Sequence, residues 1–370
     1  MKVLMNFIVN WKARMMTRFL TTLVMLLMLS PFVRAGDGAC DVPNMLGDGG
    51  LLQPNLFVSS SRLFSMQQHA TKICENNSVI PRDRLGFHFA SLQDVRIGDQ
   101  GGEEIDRSLQ EYRFLLEKTF LQENVSLELI VPVHFTSQSK ISTTDEFGRS
   151  PLADGAFGDL AFGLKALLWE GNGRAFSAGL RIEAPTAPDI SISEVPPGVV
   201  SHFDMDSWYF TPWIGAQWTP GNRWFASAFG SYRMDSGPID ISTVTRDVSI
   251  RQPNYLSVDV ALGRWIVQRP CRRGITSLAP TLEMHYTTTT TRGTVFDPGF
   301  QNVYDTGRRY GKTDYLNLTA GMNGTINEDW QFALGVVAPL RTSTTDGQGD
   351  FDTDRNFDWA IMLNINYYFR

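Results

Sequence analysis

The sequence predicts an all-β protein: a single antiparallel transmembrane β-barrel of about 12 strands, with short periplasmic turns and long outer loops. Three observations lead there. From about residue 82 onward, apolar residues alternate with polar or small ones in run after run. The gaps between the runs are short and long in strict alternation. Tryptophans gather beside the short gaps.

Taken in chain order, the first element is an address. Arg14 and Arg18 precede the apolar run FLTTLVMLLMLSPFV, and Val33-Arg34-Ala35 follows as a small-residue cleavage site. Residues 1–35 therefore read as a secretory signal peptide. The apolar core is shorter than the roughly 20 residues that a membrane helix needs. Residues 36–80 have weak periodicity and are expected to form a periplasmic arm or a plug turned into the barrel. Cys40 and Cys74 bracket this segment and either pair in an oxidising compartment or remain thiols. Residues 81–370 are assigned to the barrel.

The strands follow from parity, because successive side chains of a strand point to opposite faces. Leu127, Leu129, Val131, Val133 and Phe135 alternate with Ser126, Glu128, Ile130, Pro132 and His134. Phe176, Ala178, Leu180 and Ile182 alternate with Ser177, Gly179, Arg181 and Glu183. Near the C-terminus Trp359, Ile361, Leu363, Ile365, Tyr367 and Phe369 face one way, with Met362, Asn364, Asn366 and Tyr368 between them. The pattern places strands at about 82–92, 108–120, 124–137, 157–168, 174–185, 207–218, 223–233, 255–267, 275–291, 314–326, 330–338 and 358–370. A two-sheet sandwich gives no reason for the alternating gaps. A membrane barrel does, because one end closes with tight turns while the other carries long loops.

The short turns contain the Gly, Pro and Asn that tight reversals need, as in EGNG and TPGN. Phe120, Trp169, Trp218, Trp224, Trp265 and Trp330 lie beside them. These form one expected girdle at the bilayer–water boundary, with Trp208, Tyr209, Trp213 and Tyr315 as candidates nearer the opposite rim.

Composition narrows the function. The chain has 370 residues, a net charge of −6 and a 42% hydrophobic fraction, too apolar for a disordered chain. Mild acidity without a long basic run argues against nucleic acid as a partner. Three cysteines cannot form a disulfide framework, and no Cys/His cluster has metal-ligand spacing. The single long apolar run excludes a polytopic helical membrane protein, and no cofactor or metal is expected.

If the apolar face meets lipid, the other face lines the bore. By parity it carries Arg84, His88, Glu111, Arg113, Glu117, Glu128, His134, Lys165, Arg181, Glu183, Asp259, Glu283 and His285. So many ionisable groups in a dry interior would cost several kcal/mol each unless paired. A hydrated bore is expected, with Arg113, Glu128, His134, Lys165, Arg181, Glu183 and Glu283 as lumen and selectivity residues. Lys118 and Arg264 fall on the lipid face, but near turns where a long side chain reaches the interface.

Catalytic patterns are missing. No GxSxG, P-loop or dinucleotide fingerprint stands on a suitable strand and helix. The acidic stretch Asp346–Asp358 lacks the Gly and Glu positions of an EF-hand. His134-Phe135-Thr136 comes nearest to the His-x-Ser pattern of outer-membrane phospholipases, without the serine. The expectation is a non-enzymatic channel in the cell outer membrane, with the lipid bilayer and small solutes as partners. The alternative is a plugged barrel with a structural or surface-interaction role.

The stretch FGDLAFGLKALL (157–168), followed by FSAGLRIEAPT (176–186), resembles paired strands of the phenol-degradation meta-pathway family of outer-membrane proteins. Ala187 and Ala166 depart from that family's usual residues. The resemblance implies a channel or transporter for small, often hydrophobic compounds. The terminal WAIMLNINYYFR is similar to the last strand read by the barrel-assembly machinery, which implies that machinery as a further partner.

Overall fold

The structure is a computed structural model. It describes residues 42–369 except 60–61, 101–102, 138–155, 188, 195–198, 205, 222, 243–246, 270–272, 292–294, 297–301, 306–313, 342–343, 347–349, 353–354 and 356. The proposed signal segment and Cys40 lie outside the described residues.

Twelve antiparallel strands close into a barrel. In chain order they are β1 (Arg84–Gln100), β2 (Glu103–Phe120), β3 (Val125–Ser137), β4 (Leu160–Gly171), β5 (Arg174–Ala184) and β6 (Tyr209–Trp218). There follow β7 (Trp224–Asp235), β8 (Tyr255–Arg264), β9 (Ile275–Thr289), β10 (Asp314–Ile326), β11 (Trp330–Pro339) and β12 (Trp359–Tyr368). Each pairs with the next, and β12 returns to β1 from Trp359↔Gln93 to Tyr368↔Arg84. Closure leaves no unpaired edge, which a sheet in hydrocarbon requires.

The short turns reverse through left-handed backbone. Leu121, Gln122 and Glu123 all have positive φ (49°, 58° and 65°), and Asn172-Gly173 makes the two-residue reversal between β4 and β5 (52° and 68°). One expected gap is different. β1 and β2 continue past the bilayer to Gln100 and Glu103, so the first long connection is a protruding hairpin. Its stretch RIGDQGGEEIDR is polar on both faces, so the strand persists without an apolar signature. Elsewhere the long loops carry strands of their own: Ile190–Glu194, Val199–Asp204, Ile239–Ser242 and Asp247–Ile250 pair as a separate four-stranded sheet.

The outside is apolar. On β8, Leu256, Val258, Val260 and Leu262 are exposed, while Ser257, Asp259 and Ala261 between them are buried. Leu127, Phe162, Ile214, Leu282, Leu334 and Val336 extend the same belt around the barrel. Bilayer-facing parity accounts for this, because solvent would penalise so large a continuous apolar surface. Leu334→Arg, near the middle of β11, is expected to destabilise the barrel by about 2–4 kcal/mol in lipid. Urea titration in vesicles, read by the gel mobility of folded and unfolded forms, measures it.

The girdle is partly corrected. Phe120, Trp169, Trp218, Trp224 and Trp330 face outward at the short-turn end, as does Trp208 at the opposite rim. Trp265, Trp213, Tyr209 and Tyr315 instead point inward and are buried. Trp213 shows why. Gly179 and Gly215 open the wall beside its ring, and a Cβ on Gly179 would lie 2.5 Å from the indole. Phe225, in contact with Trp265 at 4.5 Å between ring centroids, likewise occupies the space over Gly263.

The bore is filled from within by the chain's own N-terminal segment. Val42 packs with Phe225, Trp265 and Ala279 at the short-turn end. The chain then runs up to Gly50 and forms a hairpin, Leu51–Ser59 with Arg62–Ala70. That hairpin pairs with the tip of β1 at Gly98–Gln100 and with Asn302–Asp305 at the loop end. Ala70 re-enters beside Tyr255 and Tyr315, and the chain descends to Asp83 before β1 begins. The rising and falling runs are tied together by Met45 N–H to Asn77 O (3.2 Å) and Asn76 N–H to Met45 O (2.9 Å). Gly47 makes their close approach possible, since a Cβ there would meet Glu75 Cγ at 2.4 Å.

Candidate functional site

The site is the contact between this inner segment and the barrel wall. It is partly greasy. Met45, Ile73, Cys74 and Val79 pack on Ala175, Trp213, Phe229 and Ala261. Leu46 packs into a second cluster with Ala90, Leu92, Ala333, Val337 and Met362. The rest is ionic, and strand parity positions it.

On β1 to β5, alternate inward residues build a charged wall. Glu117 accepts from Arg84 Nε (2.7 Å), Lys165 Nζ (2.9 Å) and the Ser126 hydroxyl (2.7 Å). Lys165 also reaches Glu128 (3.0 Å), with Arg181 at 3.7 Å and Arg84 at 3.8 Å from the same carboxylate. Three cations therefore share two carboxylates, all nearly inaccessible to solvent. The excess cation charge faces backbone carbonyls of the inner segment: Arg84 donates to Asn76 O (2.6 Å) and Arg181 to Lys72 O (3.1 Å). Closer to the loop end, Arg113 bridges wall and segment. It holds Glu111 at 2.8 Å and Glu75 at 2.7 Å. Its guanidinium also lies 2.8 Å from His88 Nε2, and because Arg only donates, His88 accepts there and donates from Nδ1 to Asn364 Oδ1 (2.6 Å).

On the opposite wall, Glu283 receives two backbone amides of the rising run, Leu46 N–H and Gly47 N–H, each at 2.9 Å. Lys72 of the falling run lies between Asp259 on β8 (2.7 Å) and Asp48 of the rising run (3.1 Å). Thr319 and Asn317 on β10 complete the seat, donating to Gly47 O (2.7 Å) and Asp48 Oδ2 (2.9 Å). A buried charge without its partner costs several kcal/mol, so each bridge makes the seated position strongly preferred over a slightly displaced one.

The structure brings five of the sequence-predicted residues, Arg113, Glu128, Lys165, Arg181 and Glu283, into this assembly. Glu183 points inward too, but it pairs with Arg233 at 2.6 Å, whose guanidinium stacks 3.6 Å over Tyr209. His134 is half-buried against Gly158 and stands apart from the contacts described. The expectation of a hydrated bore is corrected: at this level the charges are paired and the space is packed by protein. Sequence reasoning missed Asp48, Lys72 and Glu75, which complete the ion pairs, because they belong to a stretch with no strand periodicity. The available signal was the charge in LGDGG and KICENN, without a surface to assign it to.

A closed sheet with a lipid-facing apolar belt is the architecture of outer-membrane proteins, and this chain is an outer-membrane β-barrel. No family model matches the chain, and no curated protein matches it. Among solved structures it is similar to an outer membrane channel from Pseudomonas putida F1, at 13% identity and a TM-score of 0.48 over 78% of this chain and 96% of that one. It is also similar to the β domain of the Bordetella autotransporter BrkA (12%, TM-score 0.46, 78% and 100% covered). A Pseudomonas aeruginosa FadL homologue is a third (11%, TM-score 0.39, 90% and 100% covered).

Proposed function

We propose that the protein is an outer-membrane channel for small solutes whose bore is closed by its own residues 42–83, so that passage requires this segment to shift. One observation carries the reading. Within the bore the segment is held by side-chain contacts to the wall, namely Glu283 to two amides, Arg113 to Glu75 and Asp259 to Lys72, and not by strand pairing. Such contacts can be released without opening the barrel's hydrogen-bond ladder. When the segment moves, Arg113, Glu128, Lys165, Arg181 and Glu283 become the charges that a solute meets, with Glu183 and His134 nearer the outer mouth. Membership of the phenol-degradation meta-pathway family belongs to the same proposal. The stretches that resemble it form β4 and β5, which supply Lys165 and Arg181. Handling of the terminal strand by the barrel-assembly machinery is likewise proposed, with β12 as the strand that closes on β1.

Planar-bilayer recording tests the reading. Wild-type protein should stay mostly closed. Glu75→Gln removes the inner segment's partner for Arg113, and breaking a buried pair costs about 3–5 kcal/mol. At about 1.4 kcal/mol per factor of ten, the open fraction should rise by roughly a hundred-fold to a few thousand-fold. If the folded wild type and the folded variant are both silent, the competing reading, a permanently plugged barrel with a structural role, takes its place.

A further inference from the structure

Midway along the bore, four side chains with metal-binding chemistry converge from four separate elements of the fold. Asp48 comes from the rising run, Cys74 from the falling run, Asp259 from β8 and His285 from β9. All are buried, and each can offer one ligand atom such that the four atoms lie within 4.8 Å of one another. We propose that this cluster is a transition-metal site, suited to zinc(II), that fastens the inner segment to the barrel wall.

The donor set is the first argument. One sulfur, one imidazole nitrogen and two carboxylate oxygens make a mixed tetrahedral set of the kind a borderline-soft divalent ion takes, whereas calcium or magnesium would call for oxygen alone. Cys74 Sγ already lies 3.8 Å from His285 Nδ1, the spacing of neighbouring ligands around a four-coordinate ion. The cysteine is fully buried in the bore rather than isolated on a surface.

A second, independent observation is the arrangement around the donors. The far nitrogen of His285, Nε2, lies 3.3 Å from Glu283 Oε2, near enough for that carboxylate to accept its proton and orient the ring once Nδ1 takes the ion. Glu283 is itself fixed by the amides of Leu46 and Gly47. Asp259 spends Oδ1 on Lys72 (2.7 Å) and His285 (2.9 Å), which leaves its Oδ2 buried with no hydrogen-bond partner. That oxygen is free to ligate while Oδ1 keeps Lys72. The Lys72 ammonium, held by both aspartates, balances the carboxylate charge beside the ion. On binding, the Cys74 thiol gives its proton to solvent as the thiolate–metal bond forms.

The test uses the full chain refolded into detergent with cobalt(II), which takes zinc sites and reports sulfur ligation by its spectrum. A Cys40→Ser/Cys271→Ser chain leaves Cys74 as the sole thiol. The expected result is one cobalt per folded chain with a thiolate-to-cobalt charge-transfer band in the near ultraviolet, bleached by zinc. Cys74→Ser in that background should abolish the band, and Asp48→Asn should weaken binding at least tenfold. Absence of the band from the folded Cys74-only chain overturns the proposal, as does a band that survives Cys74→Ser. Neither outcome depends on whether the barrel conducts, so failure of the site and failure of the channel reading are separable.

Discussion

Glu128→Gln is expected to lower the unfolding free energy of the barrel by about 3–5 kcal/mol, although the side chain barely changes in size. Glu128 is the second of the two carboxylates that neutralise Arg84, Lys165 and Arg181. Without its charge, Arg84 and Lys165 depend on Glu117 alone, Arg181 loses the carboxylate it faces, and none of the three can turn to solvent. The loss should appear as a lower urea midpoint in lipid vesicles with an unchanged slope. Lys118→Gln is the contrast. Lys118 also forms an ion pair, with Asp83, but its side chain is 52% exposed at the barrel rim. Exposed pairs contribute about 0–1 kcal/mol, so its midpoint should hardly move. Equal effects for the two variants would show that the inner network is solvated and that its burial does not set its energy.

The same contrast explains how much could be read from the sequence. The wall was legible because parity is a local property. Once Leu127, Leu129 and Val131 are assigned to lipid, Ser126, Glu128 and Ile130 must face inward, whatever lies inside. The strand count and the short turns follow from the same alternation. What parity cannot give is the occupant of the bore. Asp48 and Lys72 meet across 24 residues of sequence, Glu75 meets Arg113 on β2, and Lys72 meets Asp259 at a separation of 187. No periodicity marks such contacts, since the segment adopts neither a helix nor a barrel strand there. Inward aromatics were misplaced for a related reason. A tryptophan near a barrel rim has the same local signature whether it meets lipid or, like Trp213, fills the space left by two glycines.

The surplus of charge inside the barrel also acquires a use. A wall built only to be packed would be at least as stable with apolar residues of similar volume. Here the charges are shared between two bodies, wall and inner segment, and the apolar clusters around Leu46 and Met45 do not by themselves specify register between them. Ion pairs do, because a shift of a few ångströms leaves each charge buried without its counterpart. On the proposed channel reading, the inner segment is therefore either fully seated or released, which is the behaviour a gate requires.

Lys72→Glu should release it. Lys72 is the only cation placed between Asp48 and Asp259 in the contacts described, at 3.1 Å and 2.7 Å. Reversing its sign sets three carboxylates together, with Glu283 close behind on the neighbouring strand. Two like charges about 4 Å apart at an effective dielectric near 20 repel by about 4 kcal/mol per pair, and the two original attractions are lost as well. The wall does not carry this strain, because its strands pair with one another and not with residues 42–50 or 71–83. The barrel should fold with the segment displaced. Added protease should then cut within 42–83 while leaving the barrel whole, and single-channel records should show a lasting open level where wild type shows rare openings. A folded Lys72→Glu protein that stays both silent and protease-resistant would mean that the apolar clusters alone keep the segment in place, and the ionic account of the closed state would be lost.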